Sequence, residues 1–168
     1  MKIQLLEYIE YYLSPIGLLE VGASEKGLKY IHLTSNRKVN ITSNIHTSET
    51  KKQLNEYFEG IRKNFSIDLD LEGNTEFSIK VWNKLTQIPY GKTISYLQLA
   101  IDMGDQKCIR AAATANGRNP IPIIIPCHRV IGSDGSLTGY ALGLEVKRKL
   151  LALENPIKYS DRQISLDL

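Results

Sequence analysis

The chain has 168 residues, of which 42% are hydrophobic, 21 are basic and 18 are acidic, so it can bury an ordinary globular core. Its apolar stretches fall short of the ~20 residues that a membrane helix needs, and Glu7 and Glu10 interrupt the first one before an export signal could form. We therefore expect no membrane partner. Two cysteines are too few for a disulfide framework, which favours a reduced, cytoplasmic setting.

The positive charge is concentrated in the second half of the chain. Residues 1–75 carry nine Lys or Arg against ten Asp or Glu, whereas residues 76–168 carry twelve against eight. An excess of this size fits an ordinary solvated surface, but it also permits a polyanionic partner. We place a domain boundary at residue 75, between a scaffold domain (1–75) and a domain that carries the chemistry (76–168).

The first half has the pattern of a small antiparallel sheet with one helix. Apolar runs separated by turn residues predict strands at residues 3–13, 17–21 and 28–33. The helical spacing of Leu54, Tyr57 and Phe58 predicts a helix from about Glu49 to Gly60. The alternation at 67–71 predicts one further strand.

The second half is predicted to be mainly helical. Thr75 can cap a helix with an apolar stripe at Phe77, Val81, Leu85 and Ile88. Helices at 95–101 and 106–116, joined by a turn containing glycine, have the helix-turn-helix pattern. Such a unit is either a packing hairpin or a reader of DNA.

One helix of this unit has an unusual surface. Arg110 is followed by Ala111, Ala112 and Ala113, so a single long cation rises from small side chains. Such a face could lie close to the floor of a DNA groove. Alternatively, the alanines reflect a good helix former packed tightly on its neighbour.

Cys127 follows an apolar run, residues 121–125, that is bracketed by prolines. The run is expected to be a buried extended segment that stops at Pro126, with Cys127 where the buried chain emerges. A lone cysteine there can be inert core filler. However, His128 and Arg129 follow it, and cationic neighbours lower the pKa of a thiol.

The last predicted helix begins near Leu144 and places a carboxylate inside the protein. Val146, Leu150 and Leu153 are expected to face inward, and Glu154 follows Leu150 by one helical turn. A buried carboxylate needs a partner, and a histidine that accepts a proton from a thiol is a suitable one. The alternative is a glutamate at a frayed helix end.

Taken together, these segments resemble the methylated-DNA–protein-cysteine methyltransferases, the O6-alkylguanine-DNA alkyltransferases. The similarity is close over residues 76–156 and extends only in outline to the first half. The residues that carry it are Pro126-Cys127-His128-Arg129-Val130, Asn119-Pro120, Ser95-Tyr96-Leu97-Gln98-Leu99-Ala100, Arg110 and Tyr140.

The resemblance implies a mixed α/β (α+β) fold. Its first part would be ribonuclease H-like, and its second part would resemble a winged helix-turn-helix. It also implies a single-use repair reaction in which Cys127 takes an alkyl group, such as methyl, from O6-alkylguanine in double-stranded DNA, with O4-alkylthymine as a further substrate to consider. His128 would be the general base through a bridging water, and Glu154 would orient it. Asn119 would tie the helix-turn-helix to the active-site turn, and Tyr96 would rotate the target phosphate and donate a proton to the leaving base.

The remaining roles concern DNA and the flipped base. Arg110 would fill the gap that the base leaves, and the surface around it is expected to bind DNA. The residues expected there are Tyr96, Ala111, Ala112, Ala113, Arg118 and Arg129. The base would meet the ring of Tyr140 and main-chain groups around Cys127 and Val130, with Ala141 and Leu142 beside it. Leu142 stands where relatives often have a small glycine, and Ala141 offers no hydroxyl.

We expect a monomer without a metal or other cofactor, since the first half offers no cysteine and only His32 and His46 as soft ligands. Two other functions stay open from the residues alone. One is a cysteine hydrolase that uses Cys127, His128 and Glu154. The other is a non-catalytic sensor of alkylated DNA, against which the acceptor thiol argues.

Overall fold

A computed structural model describes residues 7–39 and 41–160 of the chain. The first half forms a three-stranded antiparallel sheet in the order β1-β2-β3. Its strands are β1 (Tyr8–Ser14), β2 (Gly17–Ala23) and β3 (Leu28–Leu33). The predicted strands are confirmed where the structure describes them, and residues 3–6 of the first lie outside the described residues.

Helix α1 (Ile45–Phe58) covers one face of this sheet, where Leu19, Val21 and Ile31 are fully buried. It begins four residues before the predicted start because Asn44 caps it. The Asn44 side chain accepts a hydrogen bond from the Thr47 backbone at 3.0 Å, and the Thr47 hydroxyl accepts one from the Asn44 backbone. The capping box has no apolar residue, so hydrophobic spacing did not reveal it.

The strand predicted at 67–71 is wrong. Only a single parallel bridge forms there, between Leu69 and Leu28. The Leu28 backbone donates to Asp68 and accepts from Asp70, both at 2.8 Å. The segment 67–71 therefore pairs with the edge of the sheet at one residue only and then continues past it.

Over residues 76–160, the second half contains five α-helices and one parallel pair of two-residue strands. These elements are α2 (Glu76–Leu85), β4 (Ile94–Ser95), α3 (Tyr96–Asp102), α4 (Ile109–Gly117), β5 (Val130–Ile131), α5 (Leu144–Glu154) and α6 (Pro156–Tyr159).

The helix-turn-helix unit consists of α3 and α4. Thr75 caps α2 and Ser95 caps α3 through their side chains, as expected of such residues. The helix predicted at 106–116 is divided into a 3₁₀ turn, Gln106–Cys108, and α4. Since β4 immediately precedes α3 and pairs with β5, the unit is tied directly to the turn that contains Cys127.

One hydrophobic core runs through both halves, from Leu19 in the sheet to Leu150 in α5. The Ile31 backbone in β3 donates to the carbonyl of Pro120 at 2.9 Å, which links the sheet to the segment before the cysteine. Residues 121–125 are buried as predicted but are not extended. Ile123 has φ +78°, and Ile125 donates back to Ile121. Within residues 7–39 and 41–160, every helix is too short or too polar to span a bilayer.

Gly91, in the loop after α2, offers a test of how closely that loop packs against the end of α5. Its φ is +74°, and a Cβ there would lie 2.9 Å from the Glu154 carbonyl oxygen. Gly60 has nearly the same φ, +75°, but a Cβ there meets nothing within 4 Å. We expect Gly60→Ala to lower the free energy of unfolding by about 1–2 kcal/mol from left-handed backbone strain. Gly91→Ala should lower it by roughly 1–3 kcal/mol more from overpacking. Equal losses in urea unfolding would contradict the close contact.

Candidate functional site

Cys127 begins a buried 3₁₀ turn, Cys127–Arg129, and its side chain is 1% exposed. The Asn119 amide fixes the thiol in place, since its Nδ2 donates to Sγ at 3.0 Å and to the Ile125 carbonyl at 2.7 Å. Asn119 Oδ1 accepts from the Ile121 backbone at 2.9 Å. Asn119 therefore lies between the end of α4 and the cysteine turn, where the sequence analysis expected it.

The thiol differs from expectation in its accessibility and its acidity. Cys127 lies below the surface instead of emerging from it. Burial raises the pKa of Cys127 to about 11, although the Asn119 hydrogen bond and the charge of Lys147 act in the opposite direction. The side chain is thus a neutral thiol at neutral pH, and it would need a base to remove its proton before it could act as a nucleophile.

The Glu154 carboxylate accepts five hydrogen bonds inside the protein. His128 Nε2 lies 2.7 Å from Oε1, and Arg129 donates to Oε2 from Nε and to Oε1 from Nη2, each at 2.9 Å. Tyr57 donates its hydroxyl to Oε1 at 2.8 Å, and the Gly91 backbone donates to Oε2 at 3.1 Å. Burial opposes ionisation, but the hydrogen bonds from His128 and Arg129 and the charge of Arg129 outweigh it and hold the pKa of Glu154 at about 2.

This carboxylate determines which nitrogen of His128 carries the proton. An ionised carboxylate only accepts hydrogen bonds, so Nε2 must be the donor and Nδ1 of a neutral ring has a free lone pair. Burial lowers the pKa of His128 below its usual value despite Glu154, which keeps the ring neutral at neutral pH. Nδ1 is buried and without a hydrogen-bond partner among the described residues. His128 is therefore equipped to accept a proton.

Arg129 does not lie at a DNA-binding surface, so that prediction is wrong. It is 5% exposed, and besides Glu154 it binds the Ile88 carbonyl through Nη1 at 2.7 Å. Its guanidinium also lies 5.8 Å from the centre of the Tyr90 ring. The buried charge of Glu154 needs a partner of this kind, and Arg129 supplies it.

Lys147 is a site residue that the sequence analysis missed. It is fully buried, and its Nζ donates to the carbonyls of Val130 at 2.6 Å and Thr138 at 3.0 Å. Burial lowers the pKa of Lys147 to about 8, while the charge of an ionised Cys127 would raise it. Residues 147, 150, 151 and 154 share one face of α5, so helical spacing could have revealed it. Val146 and Leu153, predicted to face inward, are only partly buried.

A cavity of about 500 Å³ is linked to the cysteine turn through its lining residue Asn116, whose Nδ2 donates to the Cys127 carbonyl at 3.5 Å. The residues lining it are Tyr96, Ala113, Asn116, Gly117, Thr138, Gly139, Tyr140 and Ala141. The ring of Tyr140 meets His128 edge to face with centroids 6.5 Å apart, and its hydroxyl is buried without a partner among the described residues. The Tyr96 hydroxyl donates to the Thr138 carbonyl at 3.1 Å. Predicted residues from three separate segments thus meet around one space: Tyr96 from α3, Ala113 from α4, and Tyr140 with Ala141 from the loop before α5.

Two predicted pocket residues lie elsewhere. Val130 is fully buried, and its main chain is already engaged, since its N–H donates to the Cys127 carbonyl and its oxygen accepts from Lys147. Its N–H is therefore already paired, while its carbonyl oxygen keeps a second lone pair that could accept another hydrogen bond. Leu142 lines a neighbouring cleft with Arg118, Asn119 and Ala141.

Helix α4 presents part of the predicted DNA surface. Arg110, Ala111 and Arg118 are exposed, and Ala113 is half-buried at the cavity. Ala112 is fully buried in the core, so its assignment to the DNA surface is wrong. Ala112 instead fits the alternative explanation of the alanine run, which is tight packing of the helix on its neighbour.

The chain matches two family descriptions that together span most of its length. Residues 8–71 match "6-O-methylguanine DNA methyltransferase, ribonuclease-like domain", and residues 76–156 match "6-O-methylguanine DNA methyltransferase, DNA binding domain". These matches and the architecture confirm the predicted fold class.

Similar proteins carry one name, methylated-DNA–protein-cysteine methyltransferase. One from Methanosarcina acetivorans is 44% identical over 153 residues, covering 88% of this chain and 97% of that protein. The constitutive protein of Bacillus subtilis is 39% identical over 159 residues, covering 89% and 95%. The crystal structure of the Mycobacterium tuberculosis O6-methylguanine methyltransferase superposes with a TM-score of 0.79 at 40% identity, over 89% of this chain and 93% of that one. M. tuberculosis OGT in complex with DNA gives a TM-score of 0.78 at 41% identity, with the same coverage.

The low pKa of Glu154 predicts a specific loss of stability in acid. Because its folded pKa is about 2 against 4.5 for the free side chain, the carboxylate contributes stability that is present above pH 4.5 and lost as pH falls towards 2. Glu154→Gln should unfold more easily than wild type by about 3–5 kcal/mol at neutral pH, since it leaves Arg129 unpaired. That difference should narrow between pH 4.5 and 2.

Urea unfolding at a series of pH values measures this difference. Glu145→Gln, in the same helix but exposed and paired only with Arg148, is the matched control and should follow wild type. A Glu154→Gln deficit that stays constant down to pH 2 would contradict an ionised, buried carboxylate.

Proposed function

The chain belongs to the 6-O-methylguanine DNA methyltransferase family, and we propose from this membership and the site geometry how its residues act. It is a methylated-DNA–protein-cysteine methyltransferase, which repairs DNA by direct reversal and transfers an alkyl group from DNA to a cysteine of its own. We propose that the acceptor is Cys127, that the substrate is O6-alkylguanine in double-stranded DNA, and that one monomer acts on one lesion in the cytoplasm. We also propose the division of the chain at residue 75.

The choice of Cys127 rests on one observation: a buried thiol adjoins a histidine that a carboxylate holds in the proton-accepting tautomer. Cys108, the other cysteine, is half-buried at the start of α4, and its Sγ lies 3.9 Å from the Ala100 carbonyl. With a pKa of about 11, the Cys127 thiol gives up its proton only to a nearby base.

The proposed reaction begins with removal of the thiol proton. Among the described residues no hydrogen bond joins Sγ directly to His128, so the proton passes through a bridging water to Nδ1, and Glu154 stabilises the imidazolium. Asn119 and the Lys147 charge stabilise the sulfur anion while it exists. A sulfur–carbon bond then forms as the carbon–O6 bond breaks.

The leaving guanine keeps the electron pair of the broken bond and must take up one proton. Tyr96 is the proposed donor, since burial raises its pKa and keeps its hydroxyl protonated at neutral pH. Its hydroxyl would exchange the Thr138 carbonyl for the guanine. The His128 imidazolium then releases its proton and the Tyr96 phenolate takes one up through solvent, so the products are a thioether at Cys127 and unmodified guanine in DNA, with both side chains restored.

Access to the thiol requires the base to leave the duplex. In a duplex, O6 lies on the major-groove edge of a stacked and paired base, and Cys127 is 1% exposed, so a stacked base cannot bring O6 to the thiol. Flipping costs a few kcal/mol, and the cavity beside Tyr140 is the proposed destination of the base. Arg110 would fill the vacated position, with Ala111, Ala113 and Arg118 near the DNA backbone.

Because the thioether is neutral and a poor leaving group, we predict that repair stops at one equivalent. Titration with a duplex containing O6-methylguanine should end at one lesion per protein, with a mass increase of ~14 on the Cys127 peptide. Cys108→Ser should behave like wild type, and Cys127→Ser should remove no methyl group. Continued turnover with Cys127 unmodified would indicate a hydrolase instead.

The role of Arg110 predicts a difference between substrates. Arg110→Ala should slow repair of the duplex about 10-fold or more, because extrusion of the base loses the side chain that fills the gap. It should leave the reaction with a free O6-alkylguanine base nearly unchanged. Arg148→Ala, which removes an equal charge from an exposed part of α5, is the control. An equal loss by Arg110→Ala on both substrates would contradict this role.

A further inference from the structure

Tyr57 connects the scaffold to the reaction centre. It lies in α1, yet its hydroxyl donates to Glu154 Oε1 at 2.8 Å across 97 residues of sequence. Both side chains are buried, Tyr57 completely. Of the Glu154 donors, Tyr57 is the one from the first half of the chain.

The position of the Tyr57 hydroxyl is tightly fixed. The ring packs against Phe58, Phe65 and Tyr90, with centroid separations of 5.2, 5.5 and 6.1 Å. Such edge-on and tilted aromatic contacts restrict a ring to one orientation. The hydroxyl is thus held by three neighbouring rings.

Tyr57 shares one oxygen with the catalytic histidine. Oε1 of Glu154 accepts three hydrogen bonds: from His128 Nε2 at 2.7 Å, from Arg129 Nη2 at 2.9 Å and from the Tyr57 hydroxyl at 2.8 Å. A carboxylate oxygen offers about two lone-pair sites. Each donor therefore limits the directions from which the other two can approach Oε1. It also reduces the share of the negative charge on Oε1 with which they can interact.

We propose that Tyr57 is a positioning residue for alkyl transfer, which acts through Glu154 to set the orientation and basicity of His128. This inference rests on the proposed role of His128 as the base. The scaffold domain then takes part in the chemistry. The Tyr57 hydroxyl, which α1 supplies, determines how strongly the negative charge of Glu154 acts on the His128 imidazole.

The sign of the effect on pH dependence follows from this sharing. Donation by Tyr57 draws negative charge away from His128, so loss of the hydroxyl leaves more of that charge for the ring and raises the pKa of the imidazole. A base with a higher pKa is protonated, and inactive, over a wider acid range. The groups facing Glu154 and His128 are Tyr57 from α1, Tyr90 and the Gly91 N–H from the loop after α2, Cys127 and Arg129 from the cysteine turn, Tyr140 from the following loop, and Lys147 from α5.

The test compares Tyr57→Phe with Tyr12→Phe. Both changes remove one hydroxyl and keep the ring, but the Tyr12 hydroxyl donates only to Asn55 at 3.3 Å, away from Glu154. Single-turnover rates of methyl transfer from an O6-methylguanine duplex to Cys127 are measured from pH 5 to 9, and folding is followed by thermal unfolding. Tyr57→Phe should move the midpoint of the acid limb to higher pH by about half a unit, a roughly threefold loss of rate below it. Tyr12→Phe should coincide with wild type.

A Tyr57→Phe curve with the wild-type midpoint would overturn the inference, even if the variant were less stable or uniformly slower. A purely structural hydroxyl changes the amount of folded protein and leaves the midpoint in place. If the midpoint is unchanged in Tyr57→Phe but wild-type Cys127 becomes methylated, the role of Tyr57 fails and the proposed function stands. Absence of that methylation would overturn the proposed function, and the role of Tyr57 with it.

Discussion

The rest of the structure depends on the buried carboxylate of Glu154. Removing a charge from water costs several kcal/mol unless hydrogen bonds and an opposite charge compensate for it. Here the compensation comes from α1, from the loop after α2 and from the cysteine turn, through Tyr57, Gly91, His128 and Arg129. These segments can satisfy the carboxylate only when both halves are folded together. The folded arrangement of the two halves therefore also brings the partners of the Glu154 carboxylate together.

The thiol is stored in an unreactive form. Burial raises the pKa of Cys127 to about 11, so an accessible thiolate is avoided until a substrate is bound. Asn119 and Lys147 already lie where the sulfur anion will need them. This arrangement suits a protein that uses its cysteine once, because a permanently ionised sulfur would react with other electrophiles.

Sequence reasoning found what local pattern determines and missed what distant contacts determine. The three strands of the first sheet, the cap at Thr75 and the inward orientation of Glu154 follow from a pattern that the chain itself displays. Arg129 looked like a free cation because its partner, Glu154, lies 25 residues away. Tyr57 matched a core position in α1, but nothing in the spacing reveals a hydrogen bond across 97 residues. Lys147 could have been found, since it shares a helical face with Leu150 and Glu154.

Burial keeps His128 neutral, and Glu154 holds the ring proton on Nε2, which leaves a free lone pair on Nδ1. The most direct measurement is nitrogen-15 NMR of the His128 ring in DNA-free protein labelled at histidine, recorded from pH 5 to 8. Glu154→Gln provides the comparison, and His32 and His46, which lie outside this network, serve as internal references. In wild type the ring should be neutral and protonated at Nε2 at pH 7 and above. An imidazolium at pH 7, or a ring protonated at Nδ1, would contradict it.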